Sequence, residues 1–364
     1  MKLAAICIFI SITCLSQVND SLLYQLNQIE NDTEKVNQLY KTGFDLRNTN
    51  PKFSYELAVA SEVAAVKSKS SKHLAKSYNL LGILFYKKGD FNKALHFQKQ
   101  SLALNQSIQN ETGIAFNQTN LGNIYSDLNY HDLAEHSYLQ ALKSYNKTHN
   151  VLLIARSLIN IGVLKYTQKQ FEAAIKQFEQ ALIYANEIGD QDIIASCYNN
   201  IGTILREQNK NDSALMYLEE GLKIRQLTDN ELELADSYNN IANVYINLKK
   251  FSQASNNILL AEEICLKYGY AATLLELYHT RSLFFEAQEN YKQANSWLKK
   301  YVFLKDSLQN IEKENEDEDS YFLNDPRTIQ KAENKTNQTG NTWLLIALLT
   351  MIVGLPLFLI RYKR

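Results

Sequence analysis

Residues that break helices are scarce in this 364-residue sequence, which contains 12 glycines and 3 prolines. Only Pro51 lies between residues 35 and 308, so most of the chain is free to form long helices. A large excess of one charge is also missing, because the formal net charge is −1. Lysine and arginine are dispersed among acidic residues, which gives no electrostatic indication of a nucleic-acid partner.

Signatures of catalysis are missing as well. The sequence has no glycine-rich phosphate-binding loop, no HExxH, no CxxC and no GxSxG motif. His131 and His136 are five residues apart across a turn-to-helix junction, which suits a shared metal ion poorly, so both are interpreted as surface residues. We therefore expect no enzymatic activity, no cofactor and no metal site.

Cysteine is limited to four residues, and only Cys197 and Cys265 lie outside the first 16 positions. These two are 68 positions apart, in different segments of the chain. A disulfide between them is one interpretation in an oxidising compartment, and a pair of buried thiols is the favoured one.

The sequence does contain a 40-residue repeat. Small residues recur in three registered series, and a bulky apolar residue precedes each member of the first series except at Arg281. The series are Gly82, Gly122, Gly162, Gly202, Ala242 and Ser282; Ala94, Ala134, Ala174, Ala214, Ala254 and Ala294; and Ser101, Ala141, Ala181, Gly221 and Ala261. Small residues in two helices joined by a turn let the helices approach closely, so the pattern predicts stacked antiparallel pairs.

This pattern resembles the tetratricopeptide repeat, in which positions 8, 20 and 27 are small and position 7 is bulky. Aromatic residues also occur near the family's positions 11 and 17: Phe85, Tyr125, Tyr245 and Phe285, and Phe91, Phe171, Phe251 and Tyr291. The usual period of the family is about 34 residues, and the longer period here is similar to that of kinesin light chain and of bacterial regulators. The resemblance implies an all-α, right-handed α-solenoid of about seven helix pairs.

The repeat register also predicts how the chain is divided. A lead helix is expected over 17–34, and a polar, acidic linker containing the run IEKENEDEDS is expected over 309–342. The repeats are expected near 35–74, 75–114, 115–154, 155–194, 195–234, 235–274 and 275–308.

Both ends of the chain carry apolar segments. Residues 1–16 contain one lysine and an apolar run of about a dozen residues, which is typical of a secretion signal. A lipoprotein signal at Cys14 is an alternative, although the residues before it fit that pattern poorly. Residues 343–360 are 18 uncharged positions, or roughly 27 Å of helix, which predicts one transmembrane helix. The basic tail 361–364 would then lie in the cytoplasm.

Asparagine recurs beside the small residue of the first helix in each repeat. The set comprises Asn120, Asn160, Asn200 and Asn240 with Asn199, Asn239, Asn123 and Asn243, and it is preceded by Asn79. The resemblance places this stripe on the concave face, where kinesin light chain has an LNNLA motif similar to YNNIG at 198–202 here. Each amide could bond the backbone of an extended peptide. The alternative is that these amides satisfy buried backbone groups between repeats.

Charged and aromatic residues are expected to flank the asparagines on the same face. They are Arg156, Tyr166 and Arg206, with Tyr86, Phe116, Asp236 and Glu276. The arginines could pair with a carboxylate of a ligand, and the aromatic rings could anchor apolar side chains. Ordinary solvated charge is the alternative for each residue alone.

The order of segments resembles that of bacterial tetratricopeptide sensors, in which a histidine kinase or a LuxR-type DNA-binding domain follows the membrane helix. Here only RYKR follows it, so no residue of such a domain is present to carry that activity. We interpret the chain as a non-enzymatic sensor or adaptor in a bacterial cell membrane, with its repeats on the periplasmic side and a protein or peptide partner. The alternatives are a scaffold for an envelope complex and the sensor half of a split or truncated two-component kinase.

Overall fold

A computed structural model describes residues 19, 21–228 and 230–318, with side chains described as far as residue 309. Within these residues every regular element is a helix. The described residues up to Tyr301 form one compact unit, and those from Val302 onward belong to a second. The predicted signal segment at 1–16, the transmembrane segment at 343–360 and the tail at 361–364 lie outside the described residues.

Fourteen helices follow one another along the described chain, after a short helical stretch at residues 21–27. They are α1 (Asp32–Leu46), α2 (Pro51–Lys67), α3 (Ser71–Lys87), α4 (Phe91–Ser107), α5 (Glu111–Asp127), α6 (His131–Lys147), α7 (Val151–Thr167), α8 (Phe171–Ile188), α9 (Gln191–Glu207), α10 (Asn211–Arg225), α11 (Glu231–Asn247), α12 (Phe251–Tyr268), α13 (Ala271–Ala287) and α14 (Tyr291–Glu318). Successive helices pair as α1 with α2, α3 with α4, and so on, which confirms an all-α solenoid. Its right-handed sense stays a prediction.

The boundaries of the segments differ in detail from the predicted ones. The expected lead helix is divided, because a turn separates residues 21–27 from α1 at Asp32. The last helix, α14, continues to Glu318, into the segment predicted to be a linker. Among the described residues, no helix is both long enough and apolar enough to cross a bilayer.

The helices begin and end at residues that recur with the repeat. In four successive pairs the first helix starts after a side-chain cap, whose oxygen accepts a hydrogen bond from the backbone N–H three residues later. These caps are Asn110, Asn150, Asp190 and Asn230, with distances of 3.3, 3.1, 3.0 and 3.3 Å. Because the caps recur once per repeat, each of these pairs starts in the same register.

A left-handed residue ends almost every helix and recurs twice per repeat. Eight of these residues are not glycine, for example Asn209 with φ 59°, and three are Gly89, Gly189 and Gly269. The residue after each one closes the turn, as where the N–H of Lys210 donates to the carbonyl oxygen of Leu205 at 2.9 Å. Half a repeat is therefore one helix plus one tight turn.

Each glycine of the first small series makes room for a large side chain of the second helix. A Cβ atom on Gly202 would lie 2.6 Å from Cγ of Leu218 and 3.1 Å from the carbonyl oxygen of Ala214. The equivalent pairs are Gly82 with Gln98, Gly122 with Tyr138 and Gly162 with Phe178. Ala214, a member of the second small series, is therefore only the second neighbour of Gly202. The residue 16 positions after each glycine fills the space beside it.

We predict that Gly202→Leu lowers the free energy of unfolding, because two large side chains would compete for the space of one. Overpacking of this kind typically costs about 1 to 3 kcal/mol, and Leu218→Ala alone should cost about 2 to 5 kcal/mol. Combining the two substitutions should cost less than their sum. Chemical denaturation of the four proteins measures this coupling, and strictly additive losses would contradict the assigned contact.

Candidate functional site

The first helices of successive pairs place equivalent residues side by side, one repeat apart. On α3, α5, α7, α9 and α11 the face that carries the predicted asparagines is half-buried, between the core and solvent. A cavity of about 340 Å³ opens at the N-terminal end of this face. Its lining includes Tyr40 and Phe44 of α1, Arg47 directly after α1, Asn79 and Tyr86 of α3, and Phe116, Asn120 and Asn123 of α5. We call the whole face, from α1 to α13, the groove.

Two of the predicted asparagines bond to an asparagine of the preceding repeat. The amide nitrogen of Asn120 donates to the side-chain oxygen of Asn79 at 2.9 Å, and that of Asn240 donates to Asn199 at 3.0 Å. In both pairs the partner lies 41 positions earlier in the chain. These four side chains therefore join neighbouring repeats through their amides.

Three further asparagines have different environments. Asn123 accepts a hydrogen bond from the hydroxyl of Tyr138 at 2.8 Å, and Asn243 donates to the hydroxyl oxygen of Thr280 at 3.1 Å. Asn239 is only 9% exposed, and its side-chain oxygen has no hydrogen-bond partner among the described residues. The residue 41 positions later, where the donor amide stands in the other two pairs, is Thr280, which cannot supply an amide.

Asn160 and Asn200 make no side-chain hydrogen bond within the described part of the chain, and both are half-buried. The reason lies in the preceding repeat, where the position of Asn79 and Asn199 is taken by Thr119 and Ile159. The hydroxyl of Thr119 bonds to the carbonyl oxygen of Ala115 at 3.1 Å and to the hydroxyl of Tyr145 at 3.3 Å, and isoleucine cannot hydrogen-bond. The two amides on α7 and α9 are therefore free to meet a ligand.

The predicted charged residues lie close to these free amides. Arg156 is exposed, one helical turn before Asn160. The Nε atom of Arg206 is buried without a hydrogen-bond partner among the described residues. Arg156 therefore leaves an accessible donor group in the middle of the groove, whereas the unpartnered Nε of Arg206 is buried.

Tyr166, the third predicted flanking residue, already forms a hydrogen bond within the protein. Its hydroxyl donates to the carboxylate of Glu207, which also pairs with Lys169 at 3.1 Å. Burial, and secondly this carboxylate, raise the pKa of Tyr166 to about 12. Tyr86 and Asp127 form the equivalent contact at 2.7 Å, so both tyrosines join adjacent repeats.

The two cysteines are both free and buried, as the favoured interpretation predicted. Burial raises the pKa of Cys197 to about 12 and that of Cys265 to about 11, which keeps both thiols protonated at neutral pH. Among the side chains that the structure describes, as far as residue 309, no three histidine, cysteine or acidic groups are arranged so that they could hold a metal ion.

Part of this site was missed by sequence reasoning. The residues of α1 that line the cavity belong to the degenerate first repeat, where the small-residue series fades. Counting back one repeat from Lys87, which lines the same cavity, would have found Arg47. Its guanidinium lies 3.7 Å from the centre of the Phe44 ring, so the lining of the cavity includes a positive charge held over an aromatic face.

The hydrogen bonds of the asparagines predict different effects on stability for substitutions at two successive positions of the series, Asn200 and Asn240. Asn240→Ala should lower the free energy of unfolding by about 0.5 to 1.5 kcal/mol, because Asn199 loses its partner. Asn200→Ala should leave it unchanged within about 0.5 kcal/mol, because no hydrogen bond is lost. Thermal and chemical unfolding of the two variants provide the measurement, and equal destabilisation would contradict the distinction.

Models of known protein families match the repeat region of this chain. The tetratricopeptide repeat model matches residues 73–147, 111–182 and 153–226, and a second tetratricopeptide repeat model matches residues 235–268. The matched residues make up just over half of the chain. A search of curated proteins found no match.

Several solved structures are similar in fold. The apo form of RapI shares 13% identity over 76% of this chain and 99% of its own, with a TM-score of 0.63. Aspartyl phosphate phosphatase F from Bacillus subtilis shares 14% over 81% and 90%, with a TM-score of 0.57. The Rap conjugation gene regulator of plasmid pLS20, solved in complex with the Phr* peptide, shares 16% over 80% and 94%, with a TM-score of 0.53. At these identities the similarity shows the fold alone.

Proposed function

Because the chain belongs to the tetratricopeptide repeat family, we propose that it is a non-enzymatic interaction module whose groove binds an extended segment of a protein or peptide partner. The observation that carries this proposal is the pair of uncommitted amides on Asn160 and Asn200. They lie on the first helices of successive repeats, at equivalent positions, and both are half-buried.

The chemistry of an asparagine amide suits such a ligand. An extended backbone presents N–H and C=O groups that no secondary structure satisfies, and one amide offers both a donor and an acceptor. Packed helices lie about 8 to 10 Å apart, while an extended chain advances about 3.3 Å per residue. Asn160 and Asn200 would therefore meet backbone groups about three residues apart.

The ligand is expected to bind at the middle of the groove, because the amides of Asn160 and Asn200 there make no hydrogen bond within the described part of the protein. At either side the amides of Asn120 and Asn240 are already bonded within the array. One protein of similar fold, the pLS20 regulator, was solved with a peptide bound, so this architecture is compatible with a peptide ligand. The phosphatase named among the similar structures shares too little sequence for its activity to be assigned here.

The membrane part of the proposal depends on sequence alone. The uncharged segment 343–360, followed by Arg361, Lys363 and Arg364, favours a single-pass protein whose C-terminus is cytoplasmic. With the apolar segment at 1–16 acting as a secretion signal, the repeats would be exposed outside the cytoplasm. The protein would then act there as a sensor or adaptor.

We predict that Asn160→Ala combined with Asn200→Ala weakens peptide binding without altering the melting temperature. Two lost hydrogen bonds at about 0.5 to 1.5 kcal/mol each correspond to a loss of roughly fivefold to 150-fold. The probe is a peptide selected on the purified full chain from a phage-displayed library of random twelve-residue sequences, and its affinity is measured for each variant.

A matched control is available on the second helices. The amides of Asn146 and Asn186 bond only to carbonyl oxygens of their own helices, at 2.9 and 2.8 Å. Replacing both of these by alanine should leave the affinity unchanged. If the control pair weakens binding as much as the groove pair, or if neither does, the groove is not the binding surface.

Topology provides a separate prediction. Protease added to spheroplasts should digest the repeats and leave a tag fused after Arg364 intact, because only the repeats would be accessible. Protected repeats together with a cleaved tag would show the opposite orientation. Release of the protein into the soluble fraction would exclude the membrane anchor.

A further inference from the structure

The groove has a different charge at its two ends. One turn before each asparagine of the series, the first helices carry one equivalent residue per repeat. In order these residues are Lys76, Phe116, Arg156, Ser196, Asp236 and Glu276. The basic residues therefore belong to α3 and α7, and the acidic residues belong to α11 and α13.

The acidic end has more negative charge than its neighbours balance. Arg225 is the buried cation there: it pairs with Glu233 at 3.2 Å and donates to the hydroxyl oxygen of Ser237 at 2.6 Å. Asp236 lies near enough to Glu276 for the two like charges to oppose each other, while the charge of Arg225 favours ionised Asp236. One guanidinium thus interacts with three carboxylates, and Glu276 adds a fourth nearby.

An orphaned acceptor lies at the same place. Asn239 is 9% exposed and its side-chain oxygen has no hydrogen-bond partner among the described residues. Residues at positions i, i+3 and i+7 share one face of a helix, so Asp236, Asn239 and Asn243 lie along one face of α11. The acidic end therefore presents two carboxylates and one unsatisfied carbonyl oxygen, all of which accept hydrogen bonds and none of which donates one.

We infer that the groove binds its segment in one polarity, with a basic group held by Asp236, Glu276 and Asn239, and an acidic group held by Arg156. The basic group is an ammonium or guanidinium, because only a cationic donor satisfies all three acceptors at once. This inference rests on the proposed peptide-binding function and adds the charge pattern of the ligand.

The spacing of the two charges follows from the repeat. Arg156 and Asp236 are two repeats apart, on α7 and α11, with α9 between them. At about 8 to 10 Å per packed helix and about 3.3 Å per extended residue, the acidic and basic residues of the ligand should lie five or six positions apart.

The substitutions that test this should not damage the fold. Burial raises the pKa of Asp236; a hydrogen bond from Thr273 and the charge of Arg225 oppose this in part, and the charge of Glu276 adds to it. Ionised Asp236 is therefore unfavourable for folding at neutral pH, so Asp236→Asn should leave the melting temperature unchanged or raised. Glu276 is exposed, which makes Glu276→Gln equally mild.

The experiment uses the full chain and the phage-displayed library of random twelve-residue peptides. Selected peptides should carry a basic and an acidic residue five or six positions apart. Asp236→Asn with Glu276→Gln should weaken a selected peptide by about tenfold or more. Replacing the basic residue of the peptide by methionine should lower its affinity for the unaltered protein by the same factor. The same replacement should lower its affinity for the double variant much less.

A matched control changes the net charge equally. Asp212 and Glu263 are exposed on second helices, so Asp212→Asn with Glu263→Gln should not alter the affinity. The charge inference is overturned if the control weakens binding as strongly, or if the basic residue of the peptide contributes equally with and without Asp236 and Glu276.

Failure of the proposed function has a different outcome. If no peptide is enriched on the full chain, both proposals are wrong. If peptides are enriched and lose affinity on Asn160→Ala with Asn200→Ala, but ignore the change at Asp236 and Glu276, only the charge inference is wrong.

Discussion

The close contact between the two helices of each pair is the constraint on which the array depends. A glycine in the first helix leaves space that a large residue of the second helix fills, as Gly162 does for Phe178 and Gly122 for Tyr138. Ala242 occupies the same position in a later repeat, and it is buried in one core cluster with Ile258, 16 positions later. The contact aligns each pair in one register, and it thereby aligns the first helices that form the groove.

That alignment determines which polar side chains form hydrogen bonds between repeats and which are left without a partner and could bind a ligand. At the positions of Asn120 and Asn240, the amide bonds to the preceding repeat because an asparagine 41 positions earlier accepts it. Asn120 and Asn240 have such a partner, while Asn160 and Asn200 face Thr119 and Ile159. The inter-repeat bonds go to side-chain oxygens rather than to the backbone groups that the alternative interpretation named, and ligand binding by the other amides stays a prediction. Some amides connect repeats, and two others are available, although all of them occupy equivalent positions.

The repeat and its helix pairs could be predicted from the sequence because they depend on local patterns: small residues, aromatic residues and the scarcity of proline. The hydrogen bonds of Asn79 could not be predicted from the sequence. They join residues that are one repeat plus one residue apart, and only the packing of neighbouring helices reveals this offset. The contribution of Arg47 was also hidden, since the first repeat lacks the small residues that mark the others. The continuation of α14 to Glu318 was masked by an acidic, polar composition that is compatible with either a helix or a linker.

The left-handed residues that recur twice in each repeat have a consequence for how such a chain can change length. Inserting or deleting one whole repeat adds or removes a complete pair and leaves every later helix on its own side of the array. A change of half a repeat also preserves helices and turns, but it exchanges inner and outer helices for the rest of the chain. The asparagines and charges beyond that point would then face outward. Growth of the array is therefore restricted to whole repeats wherever the inner face has a function.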